Sequence, residues 1–331
     1  MPSLFPADSK FYKCNMHCHT VISDGAKTAE EVKAAYVEKG YAAVAFTDHE
    51  VMISHDDLTD ENFIALRGFE TAIKEIPNVA TGNHQHVYHL NLFAMQKDNR
   101  TQPFVDPACM TPGNCRNYLD QIEYLEELSY DNSVEGVNDL IRRANEAGFL
   151  VSLNHPYWSL IPEGVYERLD GLHAVEVSNF ACRYHGDRTA ATMFPFLRQG
   201  KRIFPVGGDD NHNKKGLDDS FGAYTMLAAT EFSYEGLMQA FASGNHYVSE
   251  GPVLHDAVYE DGKLTITCDP VAHIVLASES RYVRRKSGDG VTEATFPLDA
   301  ERCGSYFRFE LIDEYGNHAY SRAYFFDEFD E

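Results

Sequence analysis

His17, His19, Asp24, His49, Glu70, His89, His155, Asp210 and His212 are the residues of this chain whose types and spacing point to chemistry. Imidazole and carboxylate are the side chains that bind zinc, manganese and iron. Most of the nine stand where an apolar run stops, as in Ala45-Phe46-Thr47-Asp48-His49, Leu153-Asn154-His155-Pro156 and Gly207-Gly208-Asp209-Asp210-Asn211-His212. Side chains alternate along a strand, so His17 and His19 share one face while Cys18 points the other way, under a helix. Asp210 and His212 repeat that two-residue offset. A lone buried histidine is ordinarily a satisfied core residue. Four strand ends that each deliver ligand chemistry are harder to explain so, because sites in parallel α/β folds form at the carboxyl ends of strands. The first and last of the nine lie far apart in sequence, so only a fold can gather them.

The elements that must do so are legible as alternating strands and helices. Residues 12–19, 41–47, 149–154, 174–179 and 203–208 read as strands. Thr28-Ala29-Glu30-Glu31 is a capping box that opens a helix through Val32, Ala35 and Tyr36, and Gly40 ends it. Ser133 caps a helix with Val137, Leu140, Ile141 and Ala144 on one face and Gly148 as its stop. Residues 188–197 predict another helix, and Ser233 caps one that ends near Gly244. This order predicts a parallel sheet, open or closed into a barrel. After Gly251 the pattern turns to alternation (Phe307, Phe309 and Leu311 against Arg308 and Glu310), which predicts a small all-β, sandwich-like domain over 251–331 behind a catalytic domain over 1–250. The segment 96–132, with Pro103, Pro107, Pro112, Gly113 and an expected helix at 118–128, reads as an insertion: either packing on the outside or a lid over the site.

With 331 residues and 44% apolar content, the chain can bury a real core. Its 28 basic and 51 acidic residues leave a net charge of −23, too acidic for a surface that neutralises nucleic-acid phosphates or lies on an anionic membrane. Small anionic substrates are not excluded, because a metal cluster brings its own positive field. The seven cysteines are odd in number and form no C-x-x-C pair, and no signal-peptide pattern or membrane-length run is present. A reduced, cytoplasmic protein is the expectation.

The ordered motifs are H-x-H with an aspartate five residues on (His17, His19, Asp24), T-D-H (Thr47 to His49), Glu70 in Arg67-Gly68-Phe69-Glu70, a histidine opening a strand, H-P (His155-Pro156) and D-x-H (Asp210, His212). As a set they resemble the PHP family, named for polymerase and histidinol phosphatase domains, over roughly residues 12–250. The resemblance implies a distorted (β/α)7 barrel. It also implies the nine residues as ligands of two or three divalent ions (Mn, Fe or Zn), with Glu70 bridging two of them. Two places depart from the commoner pattern. His89-Leu90-Asn91-Leu92 replaces H-I-L-G, so His84 and His86 compete with His89, which is favoured because it heads the apolar run to Phe93. Asp209 stands where a small residue or serine is common, either orienting a ligand histidine or as a solvated charge. The segment after Gly251 is loosely similar to the C-terminal extension of a subgroup of metallohydrolases in this family.

The chemistry expected of such a site is hydrolysis of a small phosphate monoester by a hydroxide shared between two ions, attacking in line. A third ion held by Asp24, His49 and His212 would stabilise the leaving oxygen, which makes Asp24, Glu70 and His212 the catalytic candidates. An ester, amide or carbamate hydrolase at the same site is the alternative. A metal-binding module without turnover is a third reading, disfavoured by the full ligand set. Arg183, His185 and Tyr157 are the candidate substrate contacts. Arg188 reads as a solvated charge more than a phosphate contact, Trp158 as ordinary packing more than a platform for a base or sugar, while Lys214 and Lys215 read equally as phosphate contacts or loop charges. Glu176 has the parity to face the interior. The expected partner is a phosphorylated small molecule, with no long nucleic acid and no membrane.

Overall fold

The computed structural model describes residues 3–73, 86–110 and 113–329. The first elements are β1 (Lys10–Asn15), α1 (Ala29–Glu38), β2 (Ala43–Phe46), β3 (Ile64–Ile73) and β4 (Tyr88–Ala94). A short pair follows, β5 (Thr101–Gln102) and β6 (Glu123–Tyr124). Then come α2 (Val134–Glu146), β7 (Phe149–Leu153), α3 (Glu163–Tyr166), β8 (Ala174–Asn179), α4 (Phe194–Leu197), β9 (Phe204–Gly208), β10 (Tyr224–Ala229), α5 (Tyr234–Ala242) and β11 (His246–Ser249). The C-terminal part holds β12 (Leu254–Glu260), β13 (Lys263–Ser278), β14 (Val283–Pro297), α6 (Ala300–Cys303), β15 (Tyr306–Ile312), β16 (His318–Ser321) and β17 (Tyr324–Phe325).

One mixed sheet of fifteen strands runs through the chain in the order β12-β13-β15-β16-β11-β10-β1-β2-β3-β4-β7-β8-β9, with β14 on β13 and β17 on β15. Within this sheet, among the described residues, the strands that pair in parallel are β1-β2-β3 and β7-β8-β9, and the separate β5-β6 pair is parallel too. The strands β4 and β10 run antiparallel to their neighbours, so the wholly parallel sheet expected from the sequence is not formed. Nor is a closed barrel found among the described residues. The strand β9 does return to β1 and β10, but the seam is made largely by side chains. Gly207 donates its N–H to Thr225 Oγ1 and Asp209 its N–H to Asn15 Oδ1. Backbone pairing resumes only at the site, where Asp210 N–H meets His17 O (2.9 Å) and His19 N–H meets Asn211 O (3.1 Å). Gly208 permits this approach, since a Cβ there would lie 2.7 Å from the backbone nitrogen of His17.

Local signals explain the helices that matter. The Thr28 hydroxyl accepts from Glu31 N and the Glu31 carboxylate accepts from Thr28 N, completing the capping box of α1. The buried face of α1 (Val32, Tyr36) packs on Cys18 and Val44, so the Cys18 thiol does point under a helix. Ser133 caps α2, whose Val137, Leu140, Ile141 and Ala144 join Leu90, Leu92 and Val151 in the largest core cluster. Burying each such side chain contributes roughly 1.5–3 kcal/mol. The helix expected at 188–197 is shorter. Arg188 is extended and bridges to Ser178, so only residues 190–197 coil, as a 3-10 turn and α4. The helix expected at 118–128 is also not formed, because a 3-10 turn ends at Gln121 and Glu123–Tyr124 pairs with β5 instead.

The insertion neither hangs outside nor arches away as a separate cover. Its Val105, Met110 and Cys115 pack with Ile22 and Val51, which belong to the loops after β1 and β2. Asn114 N–H donates to Ser23 O (2.7 Å), and Gln102 donates to the backbone of Glu50. It therefore buttresses the two loops that carry Asp24 and His49. No helix among the described residues is long and apolar enough to cross a membrane.

Candidate metal centre

The first strand ends at Asn15, four residues earlier than the sequence predicts, yet His17 and His19 keep their common face. Both rings are buried and their Nε2 atoms lie 3.2 Å apart. Facing them are Glu70 on β3 and Asp210 just past β9. His19 Nε2 is 3.4 Å from Glu70 Oε2 and 3.1 Å from Asp210 Oδ1. His17 Nε2 is 3.3 Å from Glu70 Oε1 and 3.4 Å from Asp210 Oδ1. His49, after β2, places Nδ1 3.1 Å from Glu70 Oε2. His89, on β4, places Nδ1 3.2 Å from Glu70 Oε1. His155, after β7, reaches Glu70 Oε1 at 3.5 Å and Asp210 Oδ2 at 3.8 Å. Asp24 Oδ1 lies 3.2 Å from His212 Nε2 and 3.8 Å from His49 Nε2.

All nine side chains singled out from the sequence thus meet in one place. They fall into four groups whose ligand atoms lie within 4.8 Å of one another: His19-Asp24-His49-His212, His17-His19-Glu70, His17-His155-Asp210 and Glu70-His89-His155. The last three interlock through His17, Glu70 and His155, each shared by two of them, and the Asp24 group is attached through His19. Of the competitors for the middle position, His86 meets Tyr88 edge-to-face and belongs to none of these groups, and His84 lies outside the described residues.

Two properties fit this donor set to divalent ions. First, Asp24 Oδ1, Glu70 Oε2 and His49 Nδ1 are buried without a hydrogen-bond partner, which is costly unless something else fills the coordination. Second, the carboxylates concentrate negative charge on the clustered imidazoles. Burial alone would depress His17 and His19. The carboxylates of Asp210, Glu70 and Glu176 instead push His17 well above the usual histidine range, and Asp210 and Glu70 push His19 up to about 10. Burial opposes the charge on Glu70 and Asp210 too, yet the surrounding imidazoles hold both well below the usual carboxylate range. His49 moves the other way, depressed by burial and by His19. Backbone strain gathers here as well: His155 (φ 25°) and Asp210 (φ 54°) are left-handed without being glycine.

The supporting residues were harder to read from sequence. Glu176 on β8, buried as its parity predicts, accepts from His17 Nδ1 (2.8 Å), His155 N–H (2.8 Å) and Asn179 Nδ2 (2.9 Å). Asn154 donates to Glu70 Oε1 at 2.7 Å. Asp48 accepts from the backbone and hydroxyls of Thr20 and Ser23, fixing the loop between His19 and Asp24. Asp219 accepts from His212 N–H at 2.8 Å. Asp48 and Asn154 could have been suspected, since each immediately precedes a ligand histidine. Asp219 carries no such signal.

Asp209 fits neither expected role. It is fully buried and touches no ligand histidine. It accepts from Tyr36 OH (2.7 Å) and from the N–H groups of Phe221, Gly222 and Ala223, with burial pushing its carboxyl up to about 6. Arg188 is not a solvated charge either, since it pairs with the buried Glu250. Arg183 engages Phe180 O, Asp218 O and the Asp218 carboxylate, His185 is exposed, and Tyr157 is half-buried against Gly186. Among the described residues, no hydrogen bond or ion pair links these three to the nine. Lys214 does make such a contact, 2.9 Å from Asp24 Oδ2.

No curated protein matches the chain. Among solved structures, a two-domain protein from Bacteroides vulgatus containing a predicted PHP-like metal-dependent phosphoesterase is similar at 16% identity and TM-score 0.46, covering 98% of each chain. An amidohydrolase from Chromobacterium violaceum with bound sulfate and no metal is similar at 17% identity and TM-score 0.39, covering 60% of this chain and 87% of its own. Residues 15–101, which carry six of the nine side chains and the first four motifs, match the PHP domain family.

Proposed function

We propose that the chain is a metal-dependent hydrolase, specifically a phosphoesterase that cleaves a small phosphate monoester with two or three divalent ions (Mn, Fe or Zn). The observation that carries this reading is the set of interlocked donor groups, in which His17, His19, Glu70 and His155 each serve two. A single-ion site needs no shared ligands. A shared carboxylate with two separately engaged oxygens, as at Glu70, suits neighbouring ions. Bound divalent ions would supply Lewis acidity and a water activated at neutral pH. A phosphate dianion matches such a site better than a neutral carbonyl does.

The chain's own residues have separable tasks in this reading. Glu70 and Asp210 hold the centre, and Asp24, His49 and His212 hold the outlying group. Glu176 accepts the Nδ1–H of His17 and so keeps its Nε2 lone pair turned inward. Asp48 and the insertion keep the Asp24 loop in place. Lys214, beside Asp24, offers an ammonium to a phosphate oxygen, and Tyr157, Arg183 and His185 are outer contacts on neighbouring loops. We read residues 1–250 as the catalytic unit, a distorted PHP-type barrel with the 96–132 insertion, and 251–331 as an appended β domain. The net charge of −23 favours a small substrate over a long nucleic acid, and the buried thiols of Cys14, Cys18, Cys182, Cys268 and Cys303 suit the reducing cytoplasm.

The test is a hydrolysis screen of the manganese-supplemented protein over phosphate monoesters, carboxylic esters, amides and carbamates. Phosphate release that disappears in His19→Ala and Asp210→Ala is the expected result. Turnover of carbonyl substrates alone would replace the phosphoesterase reading, and no turnover of any kind would leave a metal-binding module.

A further inference from the structure

The loop after β7 carries the chain's single tryptophan. The Trp158 indole packs against two imidazoles of the cluster: ring centroids lie 4.9 Å from His155, edge-to-face at 80°, and 5.4 Å from His89, tilted at 58°. The rest faces outward, and the residue is 40% exposed. An exposed tryptophan on a mobile loop would be unremarkable, but this one is held. The buried carboxylate of Asp187 accepts Tyr157 N–H at 3.0 Å with one oxygen and Trp158 N–H at 2.8 Å with the other. Ser159 Oγ meets His155 Nδ1 at 3.0 Å, and Ser159 N–H returns to His155 O. One short turn therefore carries a ligand imidazole and the indole together, and leaves part of the indole exposed beside the Glu70-His89-His155 group.

The cluster itself supplies charge and polar atoms but no apolar surface, so whatever recognises the organic part of a substrate must stand at its edge. The cluster is compact, with His49 and His89 centroids 5.6 Å apart. The indole touches two of the cluster's own imidazoles, so a ring bonded to a phosphate or phosphonate at the Glu70-His89-His155 group lies within its reach. A rigid aromatic face binds another ring by offset or edge contacts and loses little conformational freedom in doing so. We propose that Trp158 determines the specificity of this site, selecting monoesters whose organic part bears a planar, unsaturated ring. The proposal rests on the phosphoesterase reading above, and its test separates the two.

Because the chain has one tryptophan, emission excited on the long-wavelength side of tyrosine absorption reports on this residue alone. The zinc-loaded protein is titrated with phenylphosphonate, methylphosphonate and inorganic phosphate, none of which carries an ester to hydrolyse. Expected is binding of all three, with phenylphosphonate tighter than methylphosphonate by on the order of tenfold and changing the emission more. In Trp158→Leu, followed by calorimetry, that ratio falls towards one, while Trp158→Phe retains part of it. In turnover, the preference for phenyl over alkyl phosphates is expected to lie in KM and to shrink in the same variants. Equal affinity for the two phosphonates in the wild type overturns the role of Trp158 and leaves the phosphoesterase reading standing. Failure of all three anions to bind overturns both.

Discussion

Replacing Glu176 with glutamine tests how the site is held in register without touching a proposed ligand. One Glu176 oxygen accepts from His17 Nδ1, and the other accepts from His155 N–H and Asn179 Nδ2. Glutamine keeps one acceptor and turns the other position into a donor. Two donors already converge on Oε2, so the amide oxygen belongs there and the NH2 faces His17. Imidazole Nδ1 must then accept, which moves the ring proton to Nε2, the nitrogen that points at Glu70 and Asp210. That tautomer cannot ligate through Nε2. Loss of such an outer partner costs about 10–100-fold in metal affinity, equivalent to roughly 1.4–2.7 kcal/mol. Chelator competition with Mn²⁺ or Zn²⁺ measures this directly, with far-ultraviolet circular dichroism to show that Glu176→Gln remains folded. A dissociation constant within twofold of wild type would refute the idea that Glu176 fixes the His17 tautomer.

Metal loading near pH 7 should release about two protons per chain, because neighbouring carboxylates hold His17 and His19 protonated and the ions require them neutral. Calorimetry in buffers of different ionisation enthalpy reads the number, and zero release contradicts the electrostatic account. Burial depresses His246 to about 3 and His173 to about 4. The unfolded chain therefore takes up protons that the native state refuses as pH falls below about 6.5, and each imidazole removes about 1.4 kcal/mol of stability per pH unit over that window. His246→Gln should flatten the pH dependence of urea unfolding between pH 6 and 4 by about one such increment, and an unchanged slope counts against it. Asp209→Ala strands three backbone N–H groups, at about 1–3 kcal/mol for each buried orphan, while the Tyr36 hydroxyl keeps Asn211 Oδ1 as an acceptor. A loss below about 1 kcal/mol in urea unfolding would show that water or a rearranged loop replaces the carboxylate.

Convergence of the nine side chains was legible because most of them stand at the end of an apolar run, and in this fold those runs end near one another. The capping residues Thr28 and Ser133 gave α1 and α2 their starts for a local reason that needs no tertiary context. Elsewhere long-range pairing overrode local pattern. Arg188 is drawn into extended backbone by Ser178 and Glu250, and Glu123–Tyr124 is taken by β5. Strand direction was also hidden: β4 and β10 have the composition of their parallel neighbours, and only their partners reveal that they run the other way. Asp209 was misread because an aspartate's neighbours in sequence say nothing of the three amides that the 221–223 turn brings to it. Trp158 was read as packing, and half of that is true; its exposed face depends on how Asp187, far along the chain, pins the turn.

The central claim is that nine side chains gathered from the whole length of the catalytic unit share several ions. Elemental analysis of protein reconstituted with manganese or zinc and freed of loosely held metal tests it. Two to three ions per chain are expected, falling by at least one in His19→Ala, whose imidazole serves two groups. Less than one ion per chain, or a count that His19→Ala leaves unchanged, would contradict the account.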